Sequence, residues 1–357
     1  MTGMDMLRRP LAEYLVHKFG PEAELLGSER FPRGSSRETW FIEYRARADA
    51  PITKVVFRSD LPSGSTIPSS LEQEYFMYER LGHTDVPIAK VLWWEDDPAW
   101  AARAFYVREH IEGSWSVPNY SDPDPAYDAL RVETAREHVR NLAVLHQVDW
   151  KKTGFDTRLP APPDEASAGR AYIDQIVAQM EEFQLEPVPL FVAGAAWLKE
   201  RAPTPPRVVL CKGTNGLGEE VFRDGKLVAM SDWEEAAIGD PAIDFAFCQN
   251  FMLDIDRDGE TLWSLQHALD YYYELSGIRV SAQAVGYYKI VHALRIVLFS
   301  HRAAVGVHST ADATIRQAWT GTEALYIGRR VLAGAMGLSP MPPATRFDEL
   351  NKTIGQS

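Results

Sequence analysis

The spacing of apolar residues changes near residue 113 and divides the chain into two unlike parts. Before that point, runs such as 40–44 and 54–58 are rich in β-branched and aromatic residues and are bounded by Gly, Pro and Ser, which is typical of strands. After it, apolar residues recur every three or four positions, most clearly over 132–145, which is typical of helices. A chain of 357 residues is long enough for two lobes of ordinary size.

Two features depart from this simple division. Residues 71–81 have helical spacing inside the strand-rich part, with Ser69 or Ser70 as the N-cap. The helical part contains two strand-like runs, 208–213 and 226–233, which predict a short hairpin.

The predicted fold class is α+β with two lobes. We expect residues 1–112 to form an N-terminal lobe, built on an antiparallel sheet with one main helix. We expect residues 113–357 to form a mostly helical C-terminal lobe that contains the hairpin. From Asp244 to about Gly334 the pattern predicts helices alone.

The composition limits the partners and the compartment that we expect. The 37 basic and 50 acidic residues leave a formal net charge of −13, which disfavours nucleic acid because phosphate binding needs a basic surface. Two cysteines, Cys211 and Cys248, cannot build a disulfide framework and predict a reducing compartment. The N-terminus lacks the apolar run of a signal peptide, and the apolar stretch 290–299 is short and contains His292 and Arg295. We therefore expect a soluble, cytoplasmic protein without a membrane span.

The segment 211–245 contains the residues best suited to chemistry. Gly213, Gly216 and Gly218 allow a tight loop whose backbone can approach a ligand. Carboxylates follow at the ends of the predicted hairpin, and oxygen ligands of this kind suit a hard divalent cation such as Mg²⁺. These carboxylates belong to Glu219, Glu220, Asp232, Glu234 and Glu235. The alternative is a glycine-rich hairpin with solvated acidic side chains.

The run DWEEAAIGDPAIDFAF, residues 232–247, resembles the signature of the aminoglycoside phosphotransferase-like family. The likeness extends in order from about Leu25 to about Asp244, and it is greatest to the branch whose members also occur next to acyl-CoA dehydrogenases. This resemblance implies a two-lobed, protein-kinase-like fold with a nucleotide cleft between the lobes. It also implies that Asp232 binds Mg²⁺ and bridges it to the nucleotide phosphates, whose charge must be neutralised during phosphoryl transfer.

Two upstream segments fit the same family. RGSSRETWFIE resembles its phosphate-covering loop, in which the backbone of Ser35 and Ser36 lies over the phosphates. Arg58 stands at the strand position of the cation that grips the α and β phosphates, and Glu74 at the helix position of its ionic partner. Taken singly, Arg58 also fits a surface charge on a strand, and Glu74 fits the solvated face of a helix.

The segment AFYVREHIEG resembles the stretch that leads into the hinge between the lobes. By this resemblance, the backbone groups of Glu109, His110 and Ile111 bind adenine. ATP or GTP is therefore the expected co-substrate, and the expected phosphate acceptor is a small molecule.

The catalytic loop departs from the family pattern H-G-D-x-H-x-G-N at its chemical positions. Counting back from Asp232 places Glu219 at the asparagine and Lys212 at the first histidine. The catalytic aspartate becomes Thr214, whose alkyl hydroxyl does not ionise at neutral pH and cannot serve as a general base.

These replacements leave several roles open. Glu219 could replace the asparagine as a Mg²⁺ ligand, because a carboxylate binds this metal at least as well as an amide. Lys212 could neutralise phosphate charge, or it could pair with Glu219 or Glu220. Glu220 or Glu234 could act as the general base if the acceptor hydroxyl lies near it.

Together these residues predict Mg²⁺- and ATP-dependent phosphoryl transfer to the hydroxyl group of a small molecule. The alternative is a pseudokinase-type module that binds a nucleotide or metabolite without turnover, which Lys212 and Thr214 favour. Outside this set, His146 is predicted to pack or to cap a helix, and Cys211 to be a small buried residue. By the family resemblance, Asp244 braces the catalytic loop.

Overall fold

The computed structural model describes residues 3–31, 36–61, 63–101, 103–184, 186–215, 219–247, 251–309 and 313–340. An antiparallel sheet dominates the first third of the chain. Its strands are β1 (Glu24–Arg30), β2 (Arg37–Arg45), β3 (Thr53–Asp60), β4 (Val91–Glu95) and β5 (Phe105–Glu109). They lie in the order β1-β2-β3-β5-β4, so that β3 occupies the centre.

The pairing of β2 with β3 gives the sheet two different faces. Trp40 lies opposite Phe57, and both side chains belong to an apolar face. Thr39 lies opposite Arg58 and points to the other face, because side chains alternate along a strand. This alternation places the Arg58 guanidinium on the side of the sheet away from the apolar cluster.

Helix α1 (Gly3–Phe19) covers the apolar face of the sheet. Its residues Leu11, Tyr14 and Leu15 are buried in one cluster with the aromatic and β-branched residues of β2 and β3. This helix is additional to the one main helix predicted for the N-terminal lobe. Its apolar spacing is hard to recognise in the sequence because Pro10 and several charged residues interrupt it.

Helix α2 (Leu71–Leu81) lies against the opposite face of the sheet. Ser70 is its N-cap, and the Ser70 hydroxyl accepts a hydrogen bond from the amide of Gln73 at 3.1 Å. The helix predicted over these residues is therefore confirmed. Glu74 lies on the buried side of the helix among apolar residues, which directs its carboxylate at the sheet.

The rest of the chain is mostly helical. A short helix, α3 (Pro98–Ala101), lies between β4 and β5 of the sheet. The helices that follow the sheet are α4 (Asp128–Leu145), α5 (Ala168–Phe183), α6 (Pro189–Glu200), α7 (Ala242–Ala246), α8 (Leu265–Ser276), α9 (Ala282–Ser309), α10 (Ile315–Trp319) and α11 (Leu325–Ala335). Single turns of 3₁₀ or π helix lie at Pro125–Tyr127, Phe155–Thr157 and Thr320–Ala324. The predicted boundary between residues 112 and 113 falls between β5 and α4, and it stays a prediction.

Short two-stranded sheets interrupt the helical part. They are β6 (Val209–Cys211) with β9 (Ala237–Gly239), β7 (Glu220–Arg223) with β8 (Lys226–Met230), and β10 (Ile255–Arg257) with β11 (Glu260–Trp263). The sequence predicted that runs 208–213 and 226–233 form one hairpin, and this pairing is wrong. The second run (β8) pairs with β7, to which the turn at Asp224 and Gly225 joins it directly, and the first run (β6) pairs with β9. The β10–β11 hairpin contradicts the prediction of helices alone after Asp244. Its turn residues Asp258 and Gly259 have φ values of 51° and 86°, a conformation for which Asp-Gly is a strong signal that the surrounding helical pattern obscured.

Helix α9 runs for 28 residues through the helical part. By length and composition it could cross a membrane, with a mean hydropathy of 1.4 in its most apolar window. Of that window, 56% is buried inside the structure, a proportion that the core helix of a globular protein also shows. The apolar stretch 290–299 lies within this longer helix, and the expectation that it does not span a bilayer stays a prediction.

One hydrophobic core connects the sheet to the helices. It includes Tyr106 of β5, Met77 of α2, Leu142 of α4, Trp233 after β8 and Leu294 of α9. The segment that follows β8 is therefore anchored where the sheet side meets the helical part. The segment 211–245, which the sequence analysis selected for catalysis and metal binding, passes through this junction.

Candidate phosphoryl-transfer site

A buried ion pair joins strand β3 to helix α2. Arg58 Nη2 lies 2.6 Å from Glu74 Oε1, and Arg58 Nη1 donates to Thr39 Oγ1 at 2.9 Å. Glu74 is completely buried, and Tyr106 Oη donates to the same carboxylate oxygen at 2.9 Å. The structure therefore brings together the two residues that the resemblance paired. It excludes the alternatives of an exposed strand charge and a solvated helix face.

Arg37 is a second buried partner of Glu74 that the sequence analysis missed. Its Nε lies 3.2 Å from Glu74 Oε2, and its other nitrogens contact Asp60 Oδ1 at 2.9 Å and the Ser69 carbonyl at 2.8 Å. Burial raises the pKa of Glu74, but the two guanidinium groups outweigh burial and hold that pKa below its usual value. The sequence did contain one signal for this role. Arg37 stands two positions before Thr39 in β2, so its side chain lies on the same face of the sheet as Arg58.

Asp232 follows β8 in a strained backbone conformation. Its φ is +69°, in the left-handed region that non-glycine residues adopt at a cost and often at functional sites. The next side chain, Trp233, is fully buried and donates through Nε1 to the Met230 carbonyl at 3.3 Å, which fixes the segment. Asp232 Oδ1 is shielded from solvent and has no hydrogen-bond partner among the described residues. A carboxylate oxygen held in this way fits a hard divalent cation such as Mg²⁺.

The loop after β6 is held by the carboxylate of Asp244 in α7. Asp244 accepts hydrogen bonds from the amides of Lys212 at 2.9 Å and Gly213 at 2.7 Å, and from Asn215 Nδ2 at 3.1 Å. His146 Nε2 lies 2.9 Å from the same carboxylate. Burial raises the pKa of Asp244, but His146 and the loop amides outweigh burial and keep it below its usual value. Asp244 thus contacts the loop as the resemblance implies, and His146 lies at the C-cap of α4.

The group of His146, Cys211 and Asp244 is close enough to hold a metal ion, with ligand atoms within 4.8 Å of one another. Its atoms already have partners, however. His146 Nδ1 lies 2.7 Å from Tyr272 Oη, and Cys211 Sγ donates to the Asp240 carbonyl at 3.4 Å. Burial raises the pKa of the Cys211 thiol well above its usual value, so the thiol stays protonated. We therefore assign this group a structural role.

Lys212 points into the protein rather than into solvent. Its side chain is fully buried, and Nζ lies 3.2 Å from Glu219 Oε2 and 3.9 Å from Glu220 Oε1. The ammonium also donates to the Thr214 carbonyl. Burial lowers the pKa of Lys212, but the nearby carboxylates, Asp232 among them, outweigh burial and raise it above its usual value. Of the two roles left open for Lys212, the structure shows the pairing with Glu219.

The other loop residues predicted to carry chemistry are differently placed. Glu219 is partly exposed and has one carboxylate oxygen committed to Lys212. Thr214 Oγ1 is buried and lacks a hydrogen-bond partner in the part of the chain that is described. Glu220 is completely buried, with Oε1 3.5 Å from His138 Nδ1. Burial raises the pKa of Glu220 to about 8, so this group is mostly protonated at neutral pH and is enclosed by protein.

The residues predicted to contact the nucleotide are only partly brought to the site. Ser36 is buried next to β2, whereas Ser35 lies outside the described residues. Glu109 ends β5, where its amide donates to the Lys90 carbonyl at 2.9 Å. That amide is therefore engaged within the protein, and the predicted contact of the Glu109 backbone with adenine stays a prediction. Ile111 is half-buried beyond the strand, and its contact with adenine stays a prediction.

A cavity of about 350 Å³ lies between α5, α9 and the segment after Asp232. Its apolar lining includes Ile67, Leu159, Ile176 and Phe299. Its polar lining includes an ion pair between Arg295 and Glu235. Arg295 and Glu234 line this cavity, and Arg295 Nη1 and Glu234 Oε2 are buried without a hydrogen-bond partner among the described residues. Because unpaired buried polar atoms are costly, these two atoms mark a place where a ligand can complete the hydrogen bonding.

Comparison with known proteins establishes the family. The model of the phosphotransferase enzyme family matches residues 28–278, and the chain belongs to this family. Acyl-CoA dehydrogenase family member 10 of Mus musculus is 29% identical over 258 residues, which cover 68% of this chain. The chain spans 22% of the length of that relative, so the likeness concerns one part of a much longer protein.

Solved structures share the fold at low sequence identity. A candidate aminoglycoside phosphotransferase from Ralstonia eutropha has a TM-score of 0.65 and 20% identity, over 92% of this chain and 98% of that one. A macrolide 2′-phosphotransferase from Brachybacterium faecium has a TM-score of 0.54 and 18% identity, over 87% and 96%. An ethanolamine kinase from Plasmodium vivax has a TM-score of 0.54 and 13% identity, over 87% and 84%. The predicted two-lobed, kinase-like α+β fold is therefore confirmed.

Proposed function

We propose that this protein transfers a phosphoryl group from a nucleoside triphosphate to a hydroxyl group of a small molecule. The observation that carries the proposal is the buried Arg58–Glu74 ion pair together with the buried Oδ1 of Asp232, which has no hydrogen-bond partner among the described residues. Burial lowers the pKa of Arg58, but Glu74 and, more weakly, Asp232 outweigh burial and raise it. Membership of the phosphotransferase family supports this reading of the site.

The nucleotide end of the site needs cations to face the phosphates. Arg58, oriented by Glu74 and Thr39, would bind phosphate oxygens. Asp232 would hold Mg²⁺, which when bound neutralises charge on the phosphates during transfer. The nucleotide is ATP or GTP.

The acceptor molecule would occupy the cavity beside Glu234. In the transfer, the acceptor oxygen bonds to the γ-phosphorus, the bond from that phosphorus to the bridging oxygen breaks, and the nucleoside diphosphate leaves. The hydroxyl proton passes to the carboxylate of Glu234, which lines the cavity, whereas Glu220 is enclosed by protein. Burial and the nearby Asp232 raise the pKa of Glu234 well above its usual value, so only the ionised fraction of Glu234 can accept this proton. A general base of this kind contributes about 10²- to 10⁴-fold to the rate. The macrolide phosphotransferase and the ethanolamine kinase, by their names, act on small molecules, which supports this acceptor class.

A second candidate function is nucleotide or metabolite binding without turnover. It is favoured by the loop itself, because Thr214 replaces the family aspartate and a fully buried Lys212 replaces the family histidine. In that case Arg58 and Asp232 would still bind a nucleotide, and the cavity would hold a ligand that is not phosphorylated.

Thermal unfolding with each nucleotide, with and without Mg²⁺, tests the nucleotide site. A ligand at a hundredfold excess over its dissociation constant adds about 2.7 kcal/mol of stability. We expect a Mg²⁺-dependent rise in the unfolding midpoint for the wild type and for the exposed control Asp270→Asn, and its loss in Asp232→Asn. No rise with millimolar ATP or GTP would contradict the proposed function.

Product formation then separates the two candidate functions. With hydroxyl compounds of different size and charge as acceptors, we expect nucleoside diphosphate and a phosphorylated product. Glu234→Gln should lower that rate by about 10²- to 10⁴-fold while the nucleotide-dependent midpoint shift remains. A protein that binds nucleotide but yields no product with any acceptor would favour binding without turnover.

A further inference from the structure

The ammonium of Lys212 occupies an oxygen-lined position inside the candidate site. It donates to the Thr214 carbonyl and lies 3.2 Å from Glu219 Oε2 and 3.9 Å from Glu220 Oε1. The lysine side chain is fully buried, so protein atoms replace the water that would otherwise solvate this charge. A carbonyl and carboxylates are also the ligands that a hard divalent cation takes in proteins.

The charges around this position are unevenly matched. Glu219, Glu220 and Asp232 present acidic groups to one region, and Lys212 is the cation that pairs with the first two. Glu219 has already committed one oxygen to the ammonium, whereas Asp232 Oδ1 has no partner in the described part of the chain. Among the described residues, Asp232 Oδ1 and both Glu220 oxygens are buried without a hydrogen-bond partner. The Glu220 side chain is completely buried with Oε1 3.9 Å from the Lys212 ammonium, which leaves Asp232 as the ligand for a metal ion.

A second divalent cation at Glu219 would meet strong repulsion. In protein kinases one metal ion is held by the aspartate after the hairpin and another by the catalytic-loop asparagine, the position of Glu219 here. An ion bound to Glu219 would lie close to the Lys212 ammonium, whose Nζ is 3.2 Å from that carboxylate. Two like charges at such a separation in a buried site repel far more strongly than in water.

We infer that the Lys212 ammonium is a resident cation that takes the place of one divalent metal ion, so that a nucleotide binds here with a single divalent cation, at Asp232. The inference rests on the proposed function for its nucleotide. It revises the sequence interpretation of Glu219: this carboxylate is the counter-ion of Lys212 rather than a metal ligand. The lysine position of the loop would then specify how many metal ions this site takes.

Mn²⁺ binding without nucleotide tests the inference independently of the proposed function. Lys212→Met leaves Glu219 and its neighbours without their cation, and it should lower the unfolding midpoint by about 5–10 °C. Added Mn²⁺ should bind this variant at least tenfold more tightly than the wild type and recover part of the loss. Lys212→Arg keeps the positive charge, and it should respond to Mn²⁺ as the wild type does.

Glu219→Gln provides a milder variant for the same measurement. The Glu219 side chain is partly exposed, so this substitution should leave the protein folded. If Glu219 serves Lys212 alone, the variant should bind Mn²⁺ as weakly as the wild type. A tenfold loss of Mn²⁺ affinity in Glu219→Gln would overturn the inference, and so would equal Mn²⁺ affinities of Lys212→Met and the wild type.

Counting Mn²⁺ by electron paramagnetic resonance at saturating nucleotide completes the test. The wild type should bind one Mn²⁺ per chain, Lys212→Met two, and Asp232→Asn none. Two Mn²⁺ ions in the wild type would overturn the inference while leaving the proposed function in place. Failure of every variant to bind nucleotide would overturn the proposed function, and the nucleotide-free measurements would still decide the role of Lys212.

Discussion

At the scale of single residues, Gly213 has the tightest surroundings in the site. Its φ is +88°, and a Cβ built on it would lie 2.1 Å from the carbonyl oxygen of Glu235. We expect Gly213→Ala to lower the free energy of unfolding by about 3 kcal/mol or more, because left-handed strain and a backbone collision add together. Chemical denaturation with urea measures this change.

Gly225 is a matched control for that substitution. It has a similar φ of +74° in the β7–β8 turn, but nothing lies within 4 Å of its added Cβ. Gly225→Ala should therefore cost only the backbone strain, about 1–2 kcal/mol. Equal losses in the two variants would show that the contact of Gly213 with Glu235 is unimportant to stability.

At the scale of secondary-structure elements, Glu74 connects helix α2 to the sheet through two arginines. Glu74→Gln removes a fully buried charge, leaves Arg58 without its carboxylate partner and leaves Arg37 with Asp60 alone. We expect a loss of about 3–5 kcal/mol in the free energy of unfolding at pH 7. Glu72→Gln, on the same helix but largely exposed, should cost less than about 1 kcal/mol.

The stability that Glu74→Gln loses relative to the wild type should depend on pH in a defined direction. The pKa of Glu74 is lower in the folded protein than its ordinary value of 4.5, so the carboxylate stabilises the fold above that pH. As the pH falls from about 4.5 through the folded pKa, this contribution disappears. Unfolding curves of the wild type and Glu74→Gln should therefore converge at acid pH. A constant difference from pH 7 to pH 3 would contradict the assigned ion pair.

The same elements show how far the sequence predicted the site. The Arg58–Glu74 pair could be predicted because the family resemblance implies it; the strand and helix patterns alone allowed an exposed charge at each position. For Arg37 the sequence offered only the signal of a charge on the same face of β2 as Thr39. Its contact with Glu74 depends on how β2 and β3 align, which that signal does not show. The burial of Lys212 was also hidden, since a lysine in a loop is ordinarily solvated and only the packed fold encloses it.

At the scale of the whole molecule, the strand-rich and helical parts share one core. Met77 and Tyr106 on the sheet side belong to the same buried cluster as Leu142 and Leu294 of the helices. We therefore expect both parts to unfold in one cooperative transition. At about 0.7 kcal/mol per residue near 60 °C, a chain of 357 residues should absorb on the order of 250 kcal/mol in that transition.

Scanning calorimetry separates a shared core from two independent units. A single unit gives equal calorimetric and van't Hoff enthalpies, and Mg²⁺ with nucleotide should move its one transition upward as a whole. Phe76, on α2, contacts Phe155 in the helical part at a ring distance of 6.0 Å, so Phe76→Ala should lower the same single midpoint. Two separate transitions, only one of them sensitive to Phe76→Ala, would instead identify the predicted units 1–112 and 113–357 as independent folding units. In that case, Mg²⁺ with nucleotide would raise the midpoint of each transition only as far as it binds that unit.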